Sequence, residues 1–147
     1  MLTDVKPGAE ECSCYAVRAA ARHITQAYDQ FLAPAGLRTT QFSILAKLKR
    51  KGPLTINALA EDMAMDRTTL GRNILPLERD GLIRIQPSAT DGRAKELNLT
   101  KAGGERLHAA RKGWVAAQAR FESTYGAKRA AELRAMLRAL VASDLAP

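Results

Sequence analysis

Within the run Asp66-Arg67-Thr68-Thr69-Leu70-Gly71-Arg72-Asn73-Ile74, hydroxyl, amide and guanidinium groups recur at spacings that collect them on one side of a helix. Such donors suit phosphates and base edges, and an arginine can grip the O6/N7 edge of guanine with two hydrogen bonds, worth about 1–3 kcal/mol of discrimination. Thr68 and Arg72 are the base-contact candidates. Thr69 and Asn73 flank them for a phosphate or a base edge, and Arg67 either joins them or braces Asp66 or a neighbouring turn. Further along, Arg93 and Lys95 follow Asp91-Gly92, a turn signal.

Two other groups could do chemistry near the start of the chain. Cys12 and Cys14 offer thiols, and Tyr15, Arg18 and Arg22 share one helical flank, where an arginine could meet the carboxylate of a small aromatic ligand. A solvated basic stripe is the competing reading of that flank, and plain buried cysteine that of the thiols. An enzyme fits poorly: His23 and His108 fall on separate predicted helices, glycine-rich phosphate loops are absent, and spacing singles out no carboxylate pair.

The elements that must position these groups follow from periodicity. Asp66 can cap a helix by accepting the free N–H of Thr68 or Thr69. Leu70, Ile74 and Leu77 then face inward and leave Thr68, Arg72 and Arg79 outward. Before it, Thr55 caps a short helix with Ile56, Leu59, Ala60 and Met63 on one stripe, and Ala64-Met65 forms the turn of a helix-turn-helix. Gly81 stops the second helix. Leu82–Gln86 and Glu96–Leu99 then alternate partially around Pro87 and Asp91-Gly92, which predicts a hairpin, or wing. Pro76 removes the bond to the carbonyl of Arg72 and predicts a kink, either a tilt of the reading end or a tolerated defect. Gly71 either lets a DNA backbone approach closely or fits tight packing.

Outside this unit, residues 1–9 with Pro7-Gly8 read as a flexible arm. From about Glu10 to Leu32, Val17, Ala20, Ile24, Ala27 or Tyr28, and Phe31 predict a long helix closed by Pro34 and Gly36. Thr39 or Thr40 can cap the next helix, in which Phe42, Leu45 and Leu48 point inward. Lys47, Lys49, Arg50 and Lys51 crowd its end, read as dipole compensation in preference to phosphate contact. Gly52-Pro53 breaks that helix, and Leu54 can be the small third strand that winged helices pair against such a hairpin. Thr100 caps a further helix carrying Leu107, Ala110, Trp114, Ala117 and Phe121, although Gly103-Gly104 should weaken its first turn by about 1 kcal/mol per glycine. Ala130, Leu133, Leu137, Leu140 and Val141 mark the last helix. The helices of residues 10–33 and 101–147 are amphipathic and lie outside the 37–100 unit, so a symmetric dimer is the economical way to bury them.

The chain has 147 residues, enough for a single domain. Its net charge of +8 and pI near 9.9 favour a polyanionic partner, nucleic acid or an anionic membrane. The opening residues include Asp4, Glu10 and Glu11 without an apolar core, and no run approaches the roughly 20 apolar residues of a membrane span, so a cytoplasmic location is expected and no membrane partner. Two cysteines make no disulfide framework, and Cys12 and Cys14 lack the companions of a zinc site; neither metal nor cofactor is implied.

In order along the chain, Leu37-Arg38-Thr39-Thr40-Gln41-Phe42-Ser43-Ile44-Leu45, Leu54-Thr55 with Leu59-Ala60, Asp66 to Arg72, Leu77-Glu78-Arg79-Asp80-Gly81-Leu82-Ile83, Asp91-Gly92-Arg93 and Leu97-Asn98-Leu99-Thr100 resemble the MarR family of bacterial transcription regulators. The resemblance runs from about Cys14 to the last helix. It implies a mainly α fold with a small β-wing, a winged helix-turn-helix whose terminal helices interlock two chains. A homodimer of this kind would set its recognition helices about 34 Å apart on a pseudo-palindromic double-stranded operator. It further implies Arg93 in the minor groove, where narrow A/T-rich stretches attract guanidinium groups, with Asp91 bracing it and Lys95 on a phosphate. Repression is the family's usual mode, relieved by a small aromatic or other lipophilic effector.

Cys14-Tyr15-Ala16-Val17, with Tyr28 further on, is similar to the opening of the family's organic hydroperoxide regulators, which keeps a peroxide-sensing repressor open as an alternative. The tyrosine that those regulators carry near the start of the second helix is missing around Thr39. Cys12 could resolve a sulfenic acid at Cys14, although a bridge across one residue is strained and a bridge to another thiol easier. A winged-helix interaction module that does not bind DNA is the remaining alternative.

Overall fold

In the computed structural model, which describes residues 8–147, the chain builds its centre on a helix-turn-helix. Helix α3 (Ile56–Asp62) and helix α4 (Arg67–Arg79) both begin on the side-chain caps expected of them: Thr55 Oγ1 accepts the Ala58 N–H at 3.1 Å and Asp66 Oδ1 the Thr69 N–H at 2.8 Å. Helix α4 runs through Pro76 without ending there. It stops at Gly81, whose φ of 73° lets the Leu82 N–H turn back to the Leu77 carbonyl at 2.9 Å.

Strands β2 (Ile83–Pro87) and β3 (Lys95–Leu99) form the antiparallel wing, and strand β1 (Leu54–Thr55) joins the other edge of β3, so the order is β1-β3-β2 with Leu97 opposite both Leu54 and Ile85. Leu59, Leu70, Ile74, Leu77, Leu82, Ile83 and Leu97 bury together beneath the sheet and helices. Helix α2 (Thr39–Lys51) closes this core with Phe42, Ile44, Leu45 and Leu48.

The remaining helices are α1 (Ser13–Leu32), α5 (Lys101–Tyr125) and α6 (Ala127–Ala142). Two boundaries differ from the sequence expectation. The first helix starts at Ser13, after a 3-10 turn over Ala9–Glu11, because Cys12 is its cap and accepts the Tyr15 N–H on Sγ at 3.4 Å. Neither Thr39 nor Thr40 caps α2: Arg38 is the cap residue, and Asp29 of α1 takes both the N–H and the hydroxyl of Thr39, at 2.7 and 2.8 Å. A long-range carboxylate does the work expected of a local hydroxyl. The proposed flexible arm lies almost wholly outside the described residues.

Helix α5 docks through its glycines. A Cβ on Gly103 would stand 2.0 Å from the Leu82 carbonyl oxygen, and one on Gly113 would stand 2.2 Å from that of Phe31. The helix-weakening glycine at 103 is thus what lets α5 lie against the start of the wing. On the same helix Trp114 stacks on Phe42, ring centres 6.0 Å apart, and Gln118 accepts the hydroxyl of buried Tyr28, whose pKa burial pushes up. Among the described residues no helix is long and apolar enough to cross a membrane.

Candidate nucleic-acid interface

The inward set Leu70, Ile74 and Leu77 fixes the rotation of α4, and the opposite face follows from it. Thr68 and Arg72 stand exposed on that face, with Arg79 one further step along. Thr69 and Asn73 are committed within the helix: the Thr69 hydroxyl donates to Asp66 Oδ2 at 2.7 Å, and the Asn73 amide donates to the Thr69 carbonyl at 2.8 Å. The carboxylate of Asp66 is held below the ordinary range by the Thr69 hydroxyl and by backbone N–H groups. These two residues therefore stiffen the first turns of α4.

At the other end of the site, the wing tip spans Ser88 to Ala94. Sequence reasoning missed its anchor, Ser88, which is buried and donates to Glu96 Oε1 at 2.7 Å while its oxygen receives the N–H groups of Thr90 and Asp91, each at 3.3 Å. Serine after proline in a loop looks like ordinary turn chemistry; its burial depends on Glu96 across the hairpin. Asp91 braces Arg93 through the backbone: Oδ1 accepts the Arg93 N–H at 3.1 Å, which leaves the exposed guanidinium to point elsewhere.

Arg67, Arg93 and Lys95 line one hollow with Thr55 and Asn57, between the wing and the starts of α3 and α4. Arg67 thus faces the wing. The fold brings together three cations that the sequence separates by up to 28 positions, at the start of α4, where Arg67 directly precedes the exposed Thr68. Of the basic cluster at the end of α2, Lys47 and Lys51 each lie 2.7 Å from the carboxylate of Asp62, pulling its pKa down to about 2, whereas Lys49 and Arg50 are exposed.

The other candidates scatter. Tyr15, Arg18 and Arg22 are exposed on α1, and both cysteines are free and exposed. Tyr28 lies fourteen residues beyond Cys14 on the same helix, about 21 Å along the axis. A second basic hollow lies elsewhere: a cavity of about 330 Å³ between α2 and α5, lined by Phe42, Lys49, Leu107, His108 and Arg111 among others. Only the long-range packing of α2 on α5 creates it, so spacing could not have disclosed it. His23 and His108 stay apart, on α1 and α5, and among the described residues no group of three or more His, Cys, Asp or Glu could hold a metal ion.

The family model described as MarR matches residues 37–95, the stretch from the start of α2 to the wing. The transcriptional regulator MosR of M. tuberculosis superposes with a TM-score of 0.78 and 35% identity, covering 92% of this chain and 100% of MosR. The same regulator solved in complex with DNA gives a TM-score of 0.77 and 38% identity, over 90% of this chain and 98% of that one. The organic hydroperoxide resistance transcriptional regulator of Bacillus subtilis (strain 168) is 28% identical over 90 residues, 61% of each protein. The matched part spans less than two thirds of such curated relatives, 51% of one B. subtilis regulator.

Proposed function

The chain belongs to the MarR family, a family of transcription regulators and not of enzymes, and on that premise we propose that it is a homodimeric, cytoplasmic repressor of a pseudo-palindromic DNA operator. Thr68 and Arg72 read base edges in the major groove, Arg93 enters the minor groove, and Lys95 and Arg67 hold phosphates. The observation that carries this reading is the juxtaposition of Arg67, Arg93 and Lys95 in one hollow beside an α4 face on which Thr68 and Arg72 are exposed. The DNA complex of MosR supports it. So do the apolar residues left exposed on α1, α5 and α6, which a second copy would cover.

Operator binding tests the reading. Arg72→Ala is expected to weaken the specific duplex about 10- to 100-fold and leave random duplex little changed. Arg93→Ala is expected to weaken binding and reduce the salt slope by about one unit, with the dimer intact. Equal affinity of wild type for specific and random duplex would reject sequence-specific recognition.

For release, the reading takes a small aromatic acid as effector. The Lys49 and Arg111 cations and the His108 imidazole around the Phe42 ring support the α2–α5 cavity as its site better than the exposed flank of Tyr15, Arg18 and Arg22 does. A thiol switch is the second reading, favoured by Cys12 being the cap of α1 with Cys14 exposed in the first turn. An organic hydroperoxide would oxidise the Cys14 thiol to a sulfenic acid and leave as the alcohol, and a second thiol would condense with it, releasing water. Titration of the operator complex with benzoate-type acids and, separately, with organic hydroperoxide divides the two, since only the second is reversed by reductant and abolished in Cys14→Ser.

A further inference from the structure

Gly71 is a glycine without an intramolecular reason. Glycine inside a helix is unfavourable by about 1 kcal/mol relative to alanine, and at Gly103 and Gly113 the backbone of another segment accounts for it. At Gly71 the helix conformation needs no glycine, φ not being positive, and a Cβ would meet nothing within 4 Å. Tight packing, one of the two roles open from sequence, is excluded.

One turn further, Leu75 is 63% exposed although the inward face of α4 is already complete in Leu70, Ile74 and Leu77. Positions 68, 71, 72 and 75 stand at i, i+3, i+4 and i+7, so Thr68, Gly71, Arg72 and Leu75 share the outward stripe. The apolar group is not on the terminal helices, where a second copy would cover it. It lies three residues, about 4.5 Å along the axis, from the guanidinium-bearing Arg72.

We propose that Gly71 and Leu75 form an apolar notch on the outer face of α4 that receives the C5-methyl group of an operator thymine, making Leu75 a specificity-determining residue. The inference rests on α4 being the recognition helix. The thymine methyl is the one apolar group on the floor of the major groove, and apolar side-chain groups select it. The missing Cβ at 71 lets the base edge come close enough for the leucine to touch the methyl, and a methyl at 71 would hold the helix away.

Replacing thymine by deoxyuridine removes that methyl and nothing else, so the test is a uracil scan of the operator. The probe is a duplex selected by the wild-type protein from a random pool. One thymine per half-site is expected to cost wild type about fourfold in affinity when replaced, the worth of one buried methyl group, and the same replacement is expected to cost Leu75→Ala nothing. Gly71→Ala should melt at a higher temperature than wild type yet bind the operator several-fold more weakly. If Arg72→Ala abolishes specific binding while every uracil is tolerated and Gly71→Ala binds as wild type, the notch is overturned and the recognition helix stands. If Arg72→Ala binds as wild type, or no sequence is selected from the pool, the recognition helix falls and the notch with it.

Discussion

The winged unit and the terminal helices are both amphipathic in sequence, yet they end differently. In the winged unit the inward stripes find their cover inside the chain, Leu75 standing apart on the outer face of α4: Leu59 of α3, Leu70, Ile74 and Leu77 of α4, and Leu97 of β3 are buried together. On α6, Ala130 is buried, while Met136, Leu137, Leu140 and Val141 are exposed, as are Val17 of α1 and Val115 of α5. Periodicity says that a face must be covered but not which chain covers it. On the proposed reading the contrast also orders the costs of mutation: changes in the unit should act on DNA reading, whereas changes in the terminal helices should act on pairing.

The strongest way to break that contrast is to charge the uncovered stripe. Leu137→Asp combined with Leu140→Asp should give a monomer by light scattering. Because two half-sites would no longer be held by one particle, operator affinity should fall about 100-fold or more. The helix content by circular dichroism should change little, since both side chains are already partly exposed in the single chain. A dimer that survived both aspartates would mean that the pair forms through another surface.

Next in size is the joint between the two regions. Gly103→Ala would press a methyl group against the Leu82 carbonyl, a distance of 2.0 Å that real side chains do not tolerate, so the start of α5 must shift away from the wing. A loss of about 1–3 kcal/mol and a lower melting temperature are expected, the opposite of the effect at Gly71. A neutral Gly103→Ala would show that α5 is not seated on the unit through this contact.

How far the fold could be read beforehand follows the same division. Local signals sufficed for Thr55, Asp66, Thr100 and Gly81, because a cap or a stop is settled within a turn of chain; the wing followed from alternation and breakers, and the Leu54 strand from the likeness to winged helices. What escaped depends on partners far along the chain. Asp29 caps α2 from ten residues away, Ser88 is secured by Glu96, and the cationic cavity exists only because α2 meets α5. Thr68 and Arg72 were legible as an outward face, whereas the commitment of Thr69 and Asn73 to the helix, and the meaning of Gly71, needed coordinates.

A smaller effect separates the regions by pH. Asp62, between Lys47 and Lys51, has its pKa lowered to about 2 by their hydrogen bonds, and a depressed carboxylate stabilises the folded state above its unfolded pKa and loses that contribution as pH falls through the folded one. The contribution is thus present above about pH 4 and gone near pH 2. Water screens these partly exposed groups, so Asp62→Asn is expected to cost roughly 1 kcal/mol at neutral pH and to flatten the stability profile between pH 4 and 2. An unaltered profile would show that the two lysines contribute only to solubility.

The smallest expected effect lies in the turn of the helix-turn-helix itself. Ala64 has φ of 50°, the left-handed region that disfavours a side chain, and it sits where a helix stop normally has glycine. The surrounding bonds define that stop: the Ala64 N–H reaches the Glu61 carbonyl at 3.1 Å and the Met65 N–H reaches that of Ala60 at 2.9 Å. The turn falls at Ala64-Met65, where the sequence placed it, although no glycine marks the left-handed position. Ala64→Gly should relieve the side-chain clash at the cost of a more flexible unfolded chain, for a net gain of roughly 0.5–1 kcal/mol in thermal melts. Operator affinity should not change, because the turn already has the geometry that glycine prefers and the angle between α3 and α4 is kept. A more stable protein with weaker binding would instead mean that the strain at Ala64 helps to set that angle, and that the turn belongs to the reading apparatus.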